Sequence, residues 1–151
     1  MNFLVRFDKL SAHERSVLMS KIRSTETKPE IKLRHELFKR GIRFRKYFSK
    51  EKIDIAFPRL KLAVFVDGCF WHSCPVHSNV PKSNTDYWKK KLELNMIRES
   101  EKEKRLVAEQ WTVIHIWEHS IEKSPVRCAE IVLEAYSKIK NQQMRIGQKN
   151  K

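Results

Sequence analysis

Leu62-Ala63-Val64-Phe65-Val66-Asp67-Gly68-Cys69-Phe70-Trp71-His72-Ser73-Cys74-Pro75-Val76-His77 joins an apolar pentad to eleven residues holding two cysteines, two histidines, a carboxylate and two adjacent aromatics. The pentad has the length and β-branched content of a buried strand. The strip after it is therefore presented at the end of a rigid element, where metal sites and catalytic groups are readily built.

Working outward, Ile53 to Phe57 reads as a second strand, joined to Leu62–Val66 by the short turn Pro58-Arg59-Leu60-Lys61, so the two form a hairpin. Asp54 falls inside that strand, where a charged carboxylate costs free energy unless a metal or partner neutralises it. Trp111 to Trp117 reads as a third strand, closed by Glu118-His119-Ser120. Helices are expected around these strands. Ser11 to Ile22 opens with Ser11 as N-cap and Glu14 as its capping-box partner, with Val17, Leu18 and Ile22 on one stripe. Pro29 to Arg40 follows Thr27-Lys28, places Glu30 in its first turn, carries Ile31, Leu33, Leu37 and Phe38 as an apolar face, and stops at Gly41. Asp86 to Ala108 is expected as a long charged helix bearing Trp88, Leu92, Met96 and Leu106, after a loop from Ser78 to Thr85. Pro125 to Ile139 is the last helix, followed by a frayed polar tail from Lys140 to Lys151. The order predicts an α/β domain, a central mixed sheet flanked by helices, spanning 1–151 as one unit with a basic N-terminal helical region over about 1–28.

The formal charge of +14 and pI near 9.9 are extreme for an enzyme of neutral metabolites and point to a polyanion, nucleic acid first. Residues 1–50 hold 14 Lys or Arg against 5 acids, and 51–100 hold 8 against 6, so the N-terminal third is the expected backbone-gripping part. Any single Lys or Arg is more simply a solvated helix face; the asymmetry of the sum is what argues for a partner. No apolar run approaches the ~18 residues of a membrane span, which predicts a soluble, cytoplasmic protein. Three cysteines, Cys69, Cys74 and Cys128, make no even disulfide framework.

Structural zinc takes four thiolate or imidazole ligands tetrahedrally. Cys69-x4-Cys74-x2-His77 supplies three, and the fourth must come from a distance. His119, just past the third strand, is the first candidate and Cys128 the competitor, although Cys128 beside Ala129 and Ile131 also reads as plain core. Each of the three taken singly is a small buried hydrophobe, a chance thiol or a loop histidine; three within nine positions favour a metal.

His72 lies between these ligands but is spaced badly to join them, which leaves it free for proton transfer. Asp54 suits Mg²⁺, which takes hard oxygen ligands. A carboxylate-bound Mg²⁺ with a nearby histidine supplies the activated water and charge neutralisation that phosphodiester cleavage needs. Glu30, Asp67 and Glu99 are further acids that can converge there, each alone equally a cap or surface residue. Phe70 and Trp71 are adjacent, so on an extended segment they point to opposite sides and one is exposed, suited to stacking on bases. Trp88, in Tyr87-Trp88-Lys89-Lys90-Lys91, is another aromatic amid positive charge, with core packing as its alternative.

Together these residues resemble the very short patch repair (Vsr) DNA mismatch endonucleases over about Leu10 to Ile131. The likeness is carried by Met19-Ser20-Lys21-Ile22-Arg23, Thr27-Lys28-Pro29-Glu30, Asp54, Val64-Phe65-Val66-Asp67-Gly68-Cys69-Phe70-Trp71-His72, Pro81-Lys82-Ser83-Asn84, Trp88, Asn95 and Trp117-Glu118-His119. The resemblance implies a restriction-endonuclease-like (PD-(D/E)xK-type) fold and a Mg²⁺-dependent nick in duplex DNA beside a T:G mismatch left by 5-methylcytosine deamination. It implies Asp54 and the Val66 carbonyl as Mg²⁺ ligands, His72 as the catalytic histidine and Glu30 as an acid close to the active site. It also implies Cys69, Cys74, His77 and His119 as structural Zn²⁺ ligands, and Phe70, Trp71 and Trp88 as aromatics intercalating beside the mismatch. Lys21, Arg23, Lys82 and Lys89 are the expected DNA-contacting cations. A functional link to a cytosine-5 methyltransferase and to mismatch-repair proteins, a monomer, and a prokaryotic, nucleoid-associated location go with the same resemblance.

The chain departs from the best-known form of that family at four places, one being Ser73-Cys74-Pro75-Val76-His77 where that form is histidine-rich. Asp67 and His119 stand where that form has a histidine and a cysteine, and Lys52-Ile53 replaces an Arg-Pro before the strand acid. Two other readings of the residues stand beside the mismatch enzyme: a restriction-type or structure-specific nuclease, and a zinc-containing DNA-binding module without catalysis.

Overall fold

The computed structural model describes residues 10–77 and 79–149; the first nine residues, Ser78 and residues 150–151, with the basic charges and tail end expected there, lie outside the described residues. Two short helices come first, α1 (Ala12–Ser20) and α2 (Lys28–Lys39). The sheet follows as β1 (Ile55–Phe57), a 3-10 turn (Pro58–Leu60) and β2 (Leu62–Asp67). Helix α3 (Thr85–Ala108) crosses to β3 (Thr112–Trp117), and α4 (Glu118–Lys123) and α5 (Pro125–Lys149) close the described chain. Sheet order is β1-β2-β3, with β1 antiparallel and β3 parallel to the central β2. This is the mixed sheet that the sequence predicts.

The strands alternate faces, and each face of β2 finds its own cover. Leu62 and Val64 pack with Ile55, Phe57 and Ile116 against Leu33 and Leu37 of α2, Ile121 of α4, and Cys128, Ala129 and Val132 of α5. Ala63 and Phe65 pack on the other face with Ile53, Ala56 and Leu106 of α3. The near-continuous burial of β2 is what a central strand covered on both faces requires.

At the N-terminal side, α1 starts with the expected reciprocal cap, Ser11 and Glu14 each bonding the other's backbone N–H. Its expected apolar stripe is not packed: α1 buries no residue and ends before Ile22. The expected face of α2 also needs correcting. Leu33 and Leu37 are fully buried, but Ile31 and Phe38 are exposed, because the inward stripe runs through Glu30, Leu33, Arg34 and Leu37. A buried Glu–Arg pair four residues apart occupies half of a face that hydrophobicity alone assigns to carbon. Gly41 ends the segment at φ +74°, a left-handed turn that glycine adopts without steric cost.

Two further expectations change. Asp54 lies one residue before β1 and not inside it; Ile53 makes only an isolated bridge to Phe48. The polar segment from Lys140 to Lys149 continues α5 where a frayed tail is expected, since most of it (Lys, Gln, Met, Arg) favours helix and extends an existing one at little cost, despite Asn141 and Gly147. Met96 is exposed, leaving Trp88, Leu92 and Leu106 as the buried side of α3.

A candidate active site beside a candidate metal centre

Beyond β2 the chain turns sharply. The His72 N–H donates to the Gly68 carbonyl and the Cys74 N–H to the Cys69 carbonyl, so Asp67 to Cys74 coils into a compact knot instead of running on as a strand. The partner strand ends beside it. Glu118, the first residue of α4, accepts a hydrogen bond from the Cys69 N–H on Oε1 at 2.6 Å, and this contact sets His119 next to the knot.

Cys69, Cys74, His77 and His119 gather there, with one ligand atom from each within 4.8 Å of the others. His119 Nδ1 is 3.1 Å from Cys69 Sγ and 3.6 Å from Cys74 Sγ; His77 Nδ1 is 3.9 and 3.8 Å from the same two thiols. Ligands held 2.0–2.3 Å from one tetrahedral ion stand about 3.3–3.8 Å apart, so this donor set suits such an ion. Burial pushes the Cys69 thiol up to about 12, so a cation entering there displaces a proton. Cys128 is a buried residue of the same core cluster as Leu33 and Ile121, and His119 is the fourth member of the Cys–His group.

The same knot forms one wall of a cleft of about 480 Å³. Glu30 enters from the start of α2, Asp54 from the edge of β1, Val66 and Asp67 from the end of β2, Trp71 and His72 from the knot, and Glu99 and Lys102 from α3. Arg23 also lines it, from the segment between α1 and α2. Asp54, Val66, Glu30, Asp67 and His72, distant in sequence, are thus brought to one cavity. The cleft excludes the metal-like cluster itself, which opens on a neighbouring groove lined by Phe70, Trp71, His77 and His119.

Each acid in the cleft is held differently. Asp54 Oδ2 accepts a hydrogen bond of 2.9 Å from the Val66 N–H. Burial nevertheless raises its pKa to about 6, and the Glu30 charge adds to the rise against the Val66 N–H, Lys102 and Arg34. Glu30 is 3% exposed and saturated: Thr27 Oγ1 donates to Oε1 at 2.9 Å, while Tyr47 Oη at 2.7 Å and Arg34 Nη2 donate to Oε2. Arg34 also pairs with Glu26 at 3.0 Å. Asp54, reluctant to ionise, offers a hard carboxylate oxygen that suits a divalent cation, and loading relieves the cost of charging it, while Glu30 has both oxygens engaged by Thr27, Tyr47 and Arg34.

Asp67 is buried, with its Oδ2 at 2.8 Å from His115 Nδ1 and its Oδ1 at 4.0 Å from His72 Nδ1. Hydrogen bonding to Asp67 raises the pKa of His115 above the usual imidazole range, against burial. His115, Glu118, Lys102 and the Arg34–Tyr47 pair border the site, and the sequence alone assigns them no role there. The signal for His115 was present, a polar residue within the β3 apolar run, but its meaning depends on the β2–β3 register, which pairs Phe65 with His115 and Asp67 with Trp117.

The aromatics differ from expectation. Phe70 and Trp71 do not point to opposite sides; on the coiled knot their rings meet edge-on at 4.8 Å, and Phe70 meets Trp88 at 5.4 Å. Trp88 is 6% exposed and supports the pair from α3. Phe70 and Trp71 remain half-buried, with Trp71 facing the cleft. Lys21, Lys82 and Lys89 are exposed around this region, Lys89 beside a shallow groove shared with Ser73 and Val80.

A family model described as DNA mismatch endonuclease Vsr matches residues 7–77. Among curated relatives, type II nicking enzyme V.NaeI of Lentzea aerocolonigenes is 45% identical over 112 residues, covering 70% of this chain and 68% of that protein. Type II nicking enzyme V.NmeAIP of Neisseria meningitidis serogroup A is 38% identical over 138 residues, covering 89% and 97%. DNA mismatch endonuclease Vsr of Escherichia coli strain K12 is 29% identical over 107 residues, covering 69% of each.

Proposed function

The chain belongs to the Vsr family of DNA endonucleases and is a DNA-cleaving hydrolase; on that premise we propose that it nicks one strand of duplex DNA beside a T:G mismatch, with Mg²⁺ as the catalytic ion. The observation that carries this reading is the convergence of Asp54, Glu30, Asp67, His72 and Trp71 on one cleft next to the Cys–His cluster. The relatives' names as nicking enzymes support cutting a single strand.

In this reading Asp54 and the Val66 carbonyl hold Mg²⁺, with Glu30 as the neighbouring acid that Arg34 and Tyr47 keep in place. Mg²⁺ held there would supply stabilisation of the negative charge that builds on the scissile phosphate. His72 takes the proton from the attacking water, a role its position at the cleft wall allows. Arg23, lining the cleft, neutralises a phosphate beside the cut. Lys21, Lys82 and Lys89 grip the backbone on either side. Phe70 and Trp71, backed by Trp88, form a wedge that enters the duplex beside the weakened pair, where unstacking is least costly.

Cys69, Cys74, His77 and His119 would hold Zn²⁺, which would serve as a clamp fixing the wedge and His72 relative to Asp54. The restriction-endonuclease-like fold fits this arrangement, with the acid at the hairpin edge of a mixed sheet. The mismatch is that of deaminated 5-methylcytosine, so a cytosine-5 methyltransferase sets the sequence context, and a monomer suffices for one nick. Among the described residues no helix is long and apolar enough to cross a membrane.

The test is the Asp54→Ala variant in a Mg²⁺-dependent nicking assay. Retained duplex binding with loss of the nick is expected; a variant that nicks like wild type would remove Asp54 from the reaction.

A further inference from the structure

Asp67 has two oxygens and each faces a different histidine. Oδ2 lies 2.8 Å from His115 Nδ1, and Oδ1 lies 4.0 Å from His72 Nδ1. We infer that His115 and Asp67 are positioning residues for His72: His115, anchored on β3, fixes the Asp67 carboxylate, and Asp67 in turn sets the ring of His72 toward the cleft. This rests on the reading of His72 as the proton acceptor.

Three features of the geometry carry the inference. First, the carboxylate is 7% exposed, and among the described residues its hydrogen-bond and ion-pair partners are these two imidazoles. A clip that only joined two strand ends would need a single oxygen; here the second lies 4.0 Å from His72 Nδ1, within ion-pair reach. Second, His115 has contacts on its own ring besides Asp67. Its ring stacks on Phe65 at 5.4 Å with 23° between planes, and its Nε2 lies 3.8 Å from Glu103 Oε2. Phe65 is buried in the β2 core and is capped on its ring by Lys102 Nζ at 4.4 Å. Third, His72 sits on a coiled knot and is 26% exposed, so it needs an outside partner to fix its ring; the backbone bond from its N–H to Gly68 does not constrain the side chain. At 4.0 Å the contact is an ion-pair separation, so Asp67 acts on the His72 ring through its charge, drawing Nδ1 toward the carboxylate and leaving the far nitrogen for the cleft. The chain Phe65–His115–Asp67–His72 therefore runs from the core of the sheet to the wall of the cleft.

The experiment uses single-turnover nicking of a T:G duplex with saturating Mg²⁺, together with duplex affinity and thermal stability. The variants are His115→Ala, His115→Gln and His72→Ala, and the double variant His72→Ala with His115→Ala. General acid–base catalysis contributes roughly 10²–10⁴-fold, and loss of positioning forfeits a part of that, so His115→Ala is expected to slow the nick by about 10- to 100-fold. Duplex affinity should stay within about twofold. His115→Gln keeps an N–H for Asp67 and should recover part of the rate. In the His72→Ala background, His115→Ala should cost nothing more, because groups acting as a unit are not additive. Full rate in His115→Ala, an equal further drop in the double variant, or a drop that follows only lost stability or affinity and is not recovered by Gln would overturn the inference. If His72→Ala itself nicks at the wild-type rate, the role of His72 fails first, and that outcome is read separately from the others.

Discussion

Asp54 and Val66 are joined across the β1–β2 hairpin by a 2.9 Å hydrogen bond from the Val66 N–H to Asp54 Oδ2. The bond aims the carboxylate at the end of β2, beside Asp67 and the knot, and keeps it there although burial opposes its charge. A pKa of about 6 in the folded state, against 3.8 for the free side chain, means that the folded protein binds the extra proton between those values. Metal-free protein should therefore gain stability as pH falls from 7.5 toward 5, and Asp54→Asn should be more stable than wild type at pH 7.5 by on the order of 2–3 kcal/mol. Added Mg²⁺ should raise the Tm of wild type and leave that of the variant unchanged. Thermal melts across pH, with and without Mg²⁺, check this. A variant less stable than wild type at pH 7.5 would show that the charged form is favoured.

The Cys–His cluster predicts about one equivalent of zinc by elemental analysis. Cys69→Ser should lose the ion together with most of the stability, because the binding free energy of a structural zinc site is folding free energy, on the order of 10 kcal/mol. Cys128→Ser should keep the full equivalent, since Cys128 packs in the core away from the cluster. Equal metal loss in both variants would contradict the assignment of His119 as the fourth ligand.

Glu30 has a structural burden beside any chemical one. Arg34, with its side chain 7% exposed, relies on Glu30, Glu26 and Tyr47, and its Nε already lacks a partner among the described residues. Glu30→Ala leaves that guanidinium buried with less compensation and should cost about 3–5 kcal/mol by chemical denaturation. Tyr47→Phe removes a hydroxyl that donates to Glu30 and accepts from Arg34 Nη2 and the Glu26 N–H, and should cost about 2–3 kcal/mol. Glu30→Gln separates the roles: stability largely kept with slower nicking would tie the charge of Glu30 to the reaction.

In the proposed reading the aromatic group divides into a wedge, Phe70 and Trp71, and its support, Trp88. Trp88, 6% exposed, should destabilise the fold by about 3–5 kcal/mol on truncation to Ala. Trp71→Ala, at the half-buried cleft position, should cost less stability but lower affinity for T:G over matched duplex about tenfold, by competition binding. An undiminished preference for the mismatch in Trp71→Ala would remove the wedge.

Much of this arrangement was legible in the sequence because it is local. The β2 pentad, the Ser11–Glu14 cap, the three closely spaced metal ligands and the helix α3 all announce themselves within a few residues. His119 was reachable too, since a ligand just past a neighbouring strand is what a sheet brings near. Illegible was whatever depends on register or on the path of the chain. Asp67 meets His115 only because β2 and β3 pair in parallel with Phe65 opposite His115. Phe70 and Trp71 share a side because Gly68 to Cys74 coils. The inward face of α2 carries Glu30 and Arg34 in place of Ile31 and Phe38, since a polar pair that satisfies itself can be buried where hydrophobicity alone would put carbon.

The most direct measurement is a strand-resolved cleavage assay on end-labelled duplexes, identical except for one T:G or matched pair, in varied flanking sequence and with Mg²⁺. The account predicts one nick, on one strand, next to the T:G pair in a preferred context, with no cut in matched duplex and none in EDTA. Cleavage of both strands irrespective of the mismatch, or no cleavage of any T:G duplex with Mg²⁺ present, would contradict it.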